Sequence, residues 1–272
     1  MPELPEVETT LRGIEPYVDG QILTDVVVRN SSMRWPIPTL ELKALVGQRI
    51  NRLERRAKYI LMHTDKGCIL LHLGMSGSLK VLDVTEAATK HDHLDLEFGG
   101  HKVVRLNDPR RFGCCLLISG PTHQHKLLAN LGPEPLSDAF NAERLFKLSR
   151  GKSQAIKSFI MDNKVVVGVG NIYASESLFK AGILPTIAAK RISRARYLTL
   201  FNEIIAVLSK AIQAGGTTLN DFTQADGKPG YFAQQLQVYG RAGENCHQCG
   251  SAIKSKVIGQ RNTFFCRVCQ KP

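Results

Sequence analysis

The sequence predicts an α+β protein in three parts: a β-rich N-terminal half, a helical middle and a C-terminal metal-binding hairpin. Apolar residues alternate up to about residue 120, and the period turns helical from about 142 to 214. Four cysteines then close the chain as two C-x2-C pairs. The 272 residues suffice for roughly two domains with their own cores. Hydrophobic residues at 43% and charged residues at 22% are ordinary for a soluble globular protein.

The chain opens Met1-Pro2-Glu3-Leu4-Pro5-Glu6. Proline suits a first helical turn and acids suit the positive end of the helix dipole, so a helix is expected to begin near Glu3. The same residues have a chemical reading. Methionine is normally trimmed before a small residue, which would leave Pro2 as a terminal secondary amine beside the Glu3 carboxylate. An α-amino group titrates near roughly 7.7–8, so part of it is unprotonated at neutral pH. Its attack on a carbonyl-like carbon gives an iminium, an electron sink that eases elimination next door. These six residues alone leave both readings open.

Strands are expected at 22–29, 67–73, 94–98, 102–106 and 113–118, with Gly99-Gly100 as a hairpin turn. Together they suggest a sandwich or a barrel. Cys68, Cys114 and Cys115 lie in apolar runs and read as buried, reduced thiols. Two prolines and a glycine at 131–138 mark a linker. Helices are expected at 142–148, 154–161, 172–181 and 194–214, with Ser193 capping the last. Residues 215–239 are rich in Gly, Thr and Asp and poorly periodic, which suits a long functional loop.

Charge narrows the partner. Lys plus Arg number 36 against 24 acids, a formal +12. No amphipathic basic helix stands out and no apolar run approaches the ~18 residues of a membrane span, so nucleic acid is the expected polyanion. The N-terminus has no basic region followed by an apolar core, and a cytoplasmic location is the default.

Cys246-His-Gln-Cys249 and Cys266-Arg-Val-Cys269 are separated by 16 residues, a spacer that suits a β-hairpin between two metal knuckles. Four thiolates match tetrahedral zinc; two disulfides are the weaker alternative in a reducing compartment. His247 is expected to be a bystander. Such a site is structural, and its expected task is to hold Lys254, Lys256, Arg261 and Arg267 against a polyanion.

Eight motifs occur in order: Pro2-Glu-Leu-Pro-Glu-Val-Glu8, Arg56-Ala-Lys-Tyr59, His72-Leu-Gly-Met-Ser-Gly77, His91-Asp-His93, Asp108-Pro-Arg-Arg-Phe-Gly113, Gly168-Val-Gly-Asn-Ile-Tyr173, Asp226-Gly-Lys-Pro-Gly-Tyr231 and the four-cysteine segment. With them the whole chain resembles the bacterial formamidopyrimidine-DNA glycosylases, which repair oxidised guanine. The resemblance implies an N-terminal β-sandwich with flanking helices over 1–131, then a linker at 132–141. A helix-two-turn-helix DNA-binding module with a lid loop follows over 142–235, and a zinc finger over 236–272. It implies one structural Zn2+, no catalytic metal or organic cofactor, and a monomer acting on double-stranded DNA with no membrane partner. The location it implies is bacterial, cytoplasmic and nucleoid-associated.

The resemblance also implies roles. Pro2 would attack the sugar C1′ of the damaged nucleotide, with Glu3 as general acid/base and Glu6 in support one helical turn away. Lys58 would sit at the lesion and help β-elimination, and Arg261 would serve δ-elimination. A glycosylase must extrude its target and fill the gap, and the matching wedge residues are Met75, Arg110 and Phe112. Arg110 would hydrogen-bond the orphaned base, usually cytosine. Core packing is the commoner fate of Met and Phe, but Met75 lies between glycines and Phe112 follows an Asp-Pro breaker. Asn171 and His91 would contact the DNA backbone; Lys152 is a further, less well aligned basic candidate. His91 with His93 makes only a weak metal pair. Residues 215–231 would form a mobile lid over the flipped base.

Two rivals remain at this level. An oxidised-pyrimidine glycosylase of the endonuclease VIII type shares the Pro-Glu start and the zinc finger. Leu4-Pro5, Met75-Ser-Gly and the intact Arg110-Arg-Phe favour the purine branch. A non-catalytic zinc-ribbon DNA-binding protein would form no covalent intermediate.

Overall fold

The computed structural model describes residues 2–217 and 231–272. The chain divides into two compact units, one of Met1–Ala129 with Ile212–Ala233 and one of Asn130–Ala211 with Gln234–Pro272.

The first unit starts with α1 (Leu4–Val18), followed by β1 (Leu23–Val28) and the short α2 (Thr39–Lys43). Seven strands follow: β2 (Arg52–Arg56), β3 (Tyr59–Thr64), β4 (Gly67–His72), β5 (Ser78–Asp83), β6 (Asp92–Phe98), β7 (Lys102–Asn107) and β8 (Cys114–Ile118). They form two antiparallel four-stranded sheets in the orders β1-β6-β7-β5 and β2-β3-β4-β8. Alternation sends Val26, Leu94, Leu96, Val104 and Leu106 of one sheet and Ile60, Met62, Ile69 and Leu71 of the other into one core. The choice between sandwich and barrel falls to the sandwich. Val7, Leu11, Ile14 and Val18 add one face of α1 to the same core. Each such burial contributes roughly 1.5–3 kcal/mol, which anchors the N-terminal residues to the sandwich.

β2, β3 and β5 were not expected as strands. Arg52-Leu-Glu-Arg-Arg56 is almost wholly charged, and its pairing with β3 decides its conformation. Cys68, Cys114 and Cys115 are buried as expected, and burial pushes the Cys68 and Cys114 thiols up to about 12.

The second unit contains α3 (Ala142–Ser149), α4 (Ile156–Ile160), α5 (Asn171–Lys180) and most of α6 (Arg194–Gln213). The helix expected over 154–161 is shorter because Ala155 is a bridge residue paired with Ala188. Ser193 does cap α6, its Oγ accepting from the Arg196 N–H at 3.3 Å. β9 (Lys254–Ile258) and β10 (Arg261–Phe265) form the expected antiparallel hairpin. Residues 218–230, and with them most of the expected lid and the motif from Asp226 to Gly230, lie outside the described residues.

Candidate active site and nucleic-acid interface

The N-terminal turn is buried and braced. Pro2 is buried, and Glu3 and Glu6 are each 2% exposed. Glu6 lies one turn into α1, so its carboxylate reaches back to the helix start. Oε2 accepts from the Glu3 N–H at 2.9 Å, which satisfies one of the helix's orphan donors. Oε1 accepts from the Thr217 N–H at 2.8 Å. Glu6 therefore fixes the Glu3 backbone and ties it to the residues preceding 218. A buried carboxylate is costly without such donors.

The turn bearing Lys58 is tied to the same helix. Ala57 takes φ 54°, the left-handed conformation, in the turn between β2 and β3. Arg55 donates through Nη1 to the Ala57 carbonyl at 3.0 Å and through Nε to Glu8 Oε2 of α1 at 2.8 Å. Burial raises the Glu8 carboxyl, but hydrogen bonds and charge from Arg55 and Arg12 outweigh it and hold the group below its usual range. Lys58 is half-buried on the turn this pair holds.

The three wedge candidates stand on turns of the sandwich. Met75 is half-buried between β4 and β5. Arg110 and the 43% exposed Phe112 lie between β7 and β8, with the guanidinium 4.9 Å from the Phe112 ring centre. Core packing, the ordinary fate of a phenylalanine, is thereby excluded for Phe112. His72, which the sequence marks only as part of a motif, supports the Met75 turn: its Nδ1 accepts from the Gly74 N–H at 3.0 Å. Burial first, then the Lys58 and Arg34 charges, push its pKa down to about 4 against a smaller upward pull from Asp108. The ring is thus neutral at pH 7 and able to accept. His91 precedes β6, and His93 is buried with Nε2 2.8 Å from the Asp108 carbonyl oxygen. This bond gives His93 a structural partner in the Asp108 turn.

In the second unit Asn171 opens α5 after Gly168-Val-Gly170. Its Oδ1 accepts from the Lys157 ammonium and its Nδ2 donates to the Asn262 carbonyl at 3.0 Å. Lys157 also donates to Thr263 Oγ1 at 2.6 Å. The side chain is 1% exposed, so a buried cation joins the start of α5 to β10, which carries the exposed Arg261. Lys152 is exposed in the preceding loop; the lysine gathered at Asn171 is Lys157. No local pattern marks it, because a lysine on a short apolar helix reads as solvated. Lys157→Met keeps the volume but leaves the Asn171 and Thr263 oxygens without this donor. We expect a loss of about 2 kcal/mol of stability, from the cost of stranded buried polar groups, measured by urea denaturation.

The four C-terminal cysteines converge. Their sulfurs all lie within 4.8 Å of one another. Cys246 and Cys269 Sγ are 3.8 Å apart and Cys249 and Cys266 Sγ 3.4 Å. A tetrahedron with Zn–S near ~2.3 Å has edges of about 3.8 Å, so the donor set fits one zinc ion. His247 faces Arg241 at 3.2 Å, outside the thiol set. The knuckle is seated by Gln270, whose Oε1 accepts from the Cys266 N–H at 2.9 Å while its Nε2 donates to the Ile183 carbonyl at 2.8 Å. Thus the zinc and the Lys157 bonds hold the two ends of the same hairpin.

Comparison with known proteins accords with this layout. The family model for the formamidopyrimidine-DNA glycosylase N-terminal domain matches residues 1–115. That for the H2TH domain of the same glycosylase matches 131–223, and a zinc finger found in FPG and IleRS matches 243–272. A formamidopyrimidine-DNA glycosylase of Haemophilus ducreyi is 57% identical over 272 residues, covering 99% of this chain and 98% of its own. The crystal structure of the Thermus thermophilus MutM (FPG) protein superposes with a TM-score of 0.88 at 36% identity, covering 99% and 98% of the two chains. A Lactococcus lactis FPG mutant in complex with DNA containing Fapy-dG gives 0.91 at 32% identity over 100% of both. The chain belongs to the formamidopyrimidine-DNA glycosylase family.

Proposed function

We propose that this protein is a bifunctional DNA glycosylase and abasic-site lyase of base excision repair, acting on oxidised purines such as 8-oxoguanine and formamidopyrimidines. One observation carries the reading: Pro2 and Glu3 are buried together at the start of α1, with Glu6 bracing the Glu3 backbone. Glu3 and Glu6 also cap the start of α1 reciprocally, but capping alone does not require both acids to be buried beside Pro2, whereas a nucleophile needs its acid/base partner at hand.

With Met1 removed, the Pro2 nitrogen lone pair forms a bond to C1′ as the C1′–base bond breaks and the base leaves with a proton. Glu3 moves protons during ring opening, and the resulting iminium carries positive charge without holding a proton. Loss of a C2′ proton then expels the 3′ phosphate, and a second elimination expels the 5′ phosphate, leaving a one-nucleotide gap. Lys58 serves the first elimination and the phosphate contact, and Arg261 the second. Met75, Arg110 and Phe112 fill the vacated duplex, and Arg110 hydrogen-bonds the orphaned base. His91, Asn171 and, more loosely aligned, Lys152 contact the DNA backbone. Chemistry thus belongs to 1–131, and DNA grip to the helical module of 142–235 and the zinc finger of 236–272. The zinc, held by four cysteines, leaves no position open for catalysis. A net charge of +12, or about +10 once four thiolates hold one zinc, suits a cytoplasmic monomer that binds DNA in the nucleoid.

The test is excision from two duplexes, one with 8-oxoguanine opposite cytosine and one with thymine glycol opposite adenine. Faster release of 8-oxoguanine is expected. A preference for thymine glycol would place the enzyme with the oxidised-pyrimidine glycosylases.

A further inference from the structure

The turns that carry Met75 and Phe112 are far apart in sequence, yet they share one carboxylate. Asp108 is fully buried, at 0% exposure. Its Oδ1 accepts from Ser76 Oγ at 2.7 Å and, more weakly, from the Arg110 N–H at 3.3 Å. Its Oδ2 accepts from the Gly113 N–H at 2.8 Å. Its own N–H donates to the His91 carbonyl at 3.0 Å, and its carbonyl accepts from the Arg111 N–H at 3.2 Å.

The backbones of the turns also touch. A Cβ on Gly74 would fall 2.4 Å from both the Gly113 nitrogen and the Phe112 carbonyl carbon, and Gly74 has φ +65°. A Cβ on Gly113 would fall 2.7 Å from the His72 carbonyl oxygen. Between them Arg111 takes φ 56°, an unfavourable conformation for a residue with a side chain. The bonds of Asp108 to residues on both sides of Arg111 hold it there.

We infer that Asp108, acting with Ser76, is a positioning residue that couples the two turns, so that Met75, Arg110 and Phe112 enter the duplex as one rigid set. An aspartate that only shaped its own turn would bond to the Arg110 and Gly113 amides and go no further. The bond to Ser76 leaves that turn and reaches the one bearing Met75. It is buried and charge-assisted, the stronger class of hydrogen bond. Rigidity matters because unstacking a base step opposes insertion, and a wedge that yields loses the extruded geometry. The inference rests on the proposed wedge role of Met75, Arg110 and Phe112.

The test measures single-turnover base release from 8-oxoguanine duplexes with cytosine or adenine opposite, and strand cleavage at a preformed abasic site in single-stranded DNA. The variants are Ser76→Ala, Asp108→Asn and the wedge variant Met75→Ala/Phe112→Ala. Ser76→Ala deletes one hydroxyl, so it reports even if Asp108→Asn folds poorly. We expect about a tenfold loss on duplex and a narrowed cytosine preference for both coupling variants, since small misplacements cost one to two orders of magnitude. Single-stranded abasic cleavage should stay within about twofold of the parent, and Ser76→Ala should cost less than about twofold when added to the wedge variant. Parent-like duplex rates in both coupling variants, beside a slow wedge variant, would refute the coupling and leave the wedge standing. A wedge variant with the parent duplex rate would remove the wedge itself and the inference with it. Equal losses of Ser76→Ala on duplex and single strand would show a general folding defect and also overturn the positioning role.

Discussion

Glu3→Gln is expected to lower base release from 8-oxoguanine duplexes by roughly 10²–10⁴, the span that a positioned acid/base group contributes. Pro2→Gly is expected to weaken borohydride trapping of the enzyme on lesion DNA. The two variants separate chemistry from structure. Glutamine keeps the shape of Glu3, and the bond from the Glu3 N–H to Glu6 Oε2 is made by backbone and survives it. The α1 core of Val7, Leu11 and Ile14 is untouched by either change. Glycine still offers a terminal amine, so trapping falls without vanishing; the imine formed is no longer the fixed-charge iminium of a secondary amine. Both effects require a processed N-terminus. While Met1 remains, Pro2 nitrogen is an amide and has no available lone pair, so intact mass must first show the methionine gone. Single-turnover release and trapping on the same samples provide the check. Normal base release by both variants would end the covalent mechanism and restore the plain helix-start reading of these residues.

Local spacing made much of this site legible. Four cysteines in two C-x2-C pairs carry their meaning within a few residues, and a phenylalanine behind an Asp-Pro breaker is marked as an exposed turn residue, while the acid next to an N-terminal proline leaves helix start and chemistry both open. What stayed hidden depends on distant partners. β2 is a strand because β3 pairs with it, against the preference of its charged sequence. Lys157 resembles any helical lysine until Asn171 and Thr263 surround its ammonium. Asp108 reads as a turn former until Ser76, from another turn, donates to it. Glu6 is expected to support Pro2 and Glu3 from one helical turn away, but its bond to Thr217 links residues that no periodicity connects. The strand pattern by itself does not separate a sandwich from a barrel for the same reason, since strand order is a tertiary fact.

Cys249→Ser is expected to abolish stable zinc binding and with it the DNA grip of the β9–β10 hairpin. A structural zinc contributes about 10–16 kcal/mol of apparent binding energy in isolated fingers, which far exceeds what a five-residue pair of strands can hold by itself. The core beneath the metal is small. Phe179, Val238 and Ile253 pack with Cys246 and Cys266, so two of its buried members are ligands. Losing the ion leaves thiols that repel one another when ionised and a hairpin tied down mainly by Lys157, Asn171 and Gln270. Lys254, Lys256, Arg261 and Arg267 then lose their fixed geometry. Every DNA phosphate that these cations cease to neutralise should reduce the slope of log K against log salt by about 0.9. Titrations at several salt concentrations should therefore reveal a shallower dependence as well as weaker binding. The sandwich core lies in the other unit, and its far-UV spectrum should persist. Zinc stoichiometry and the salt series are the two readouts. One zinc per chain with the parent affinity and slope would refute the structural role of the site, and zinc loss with unchanged affinity would refute its contribution to binding.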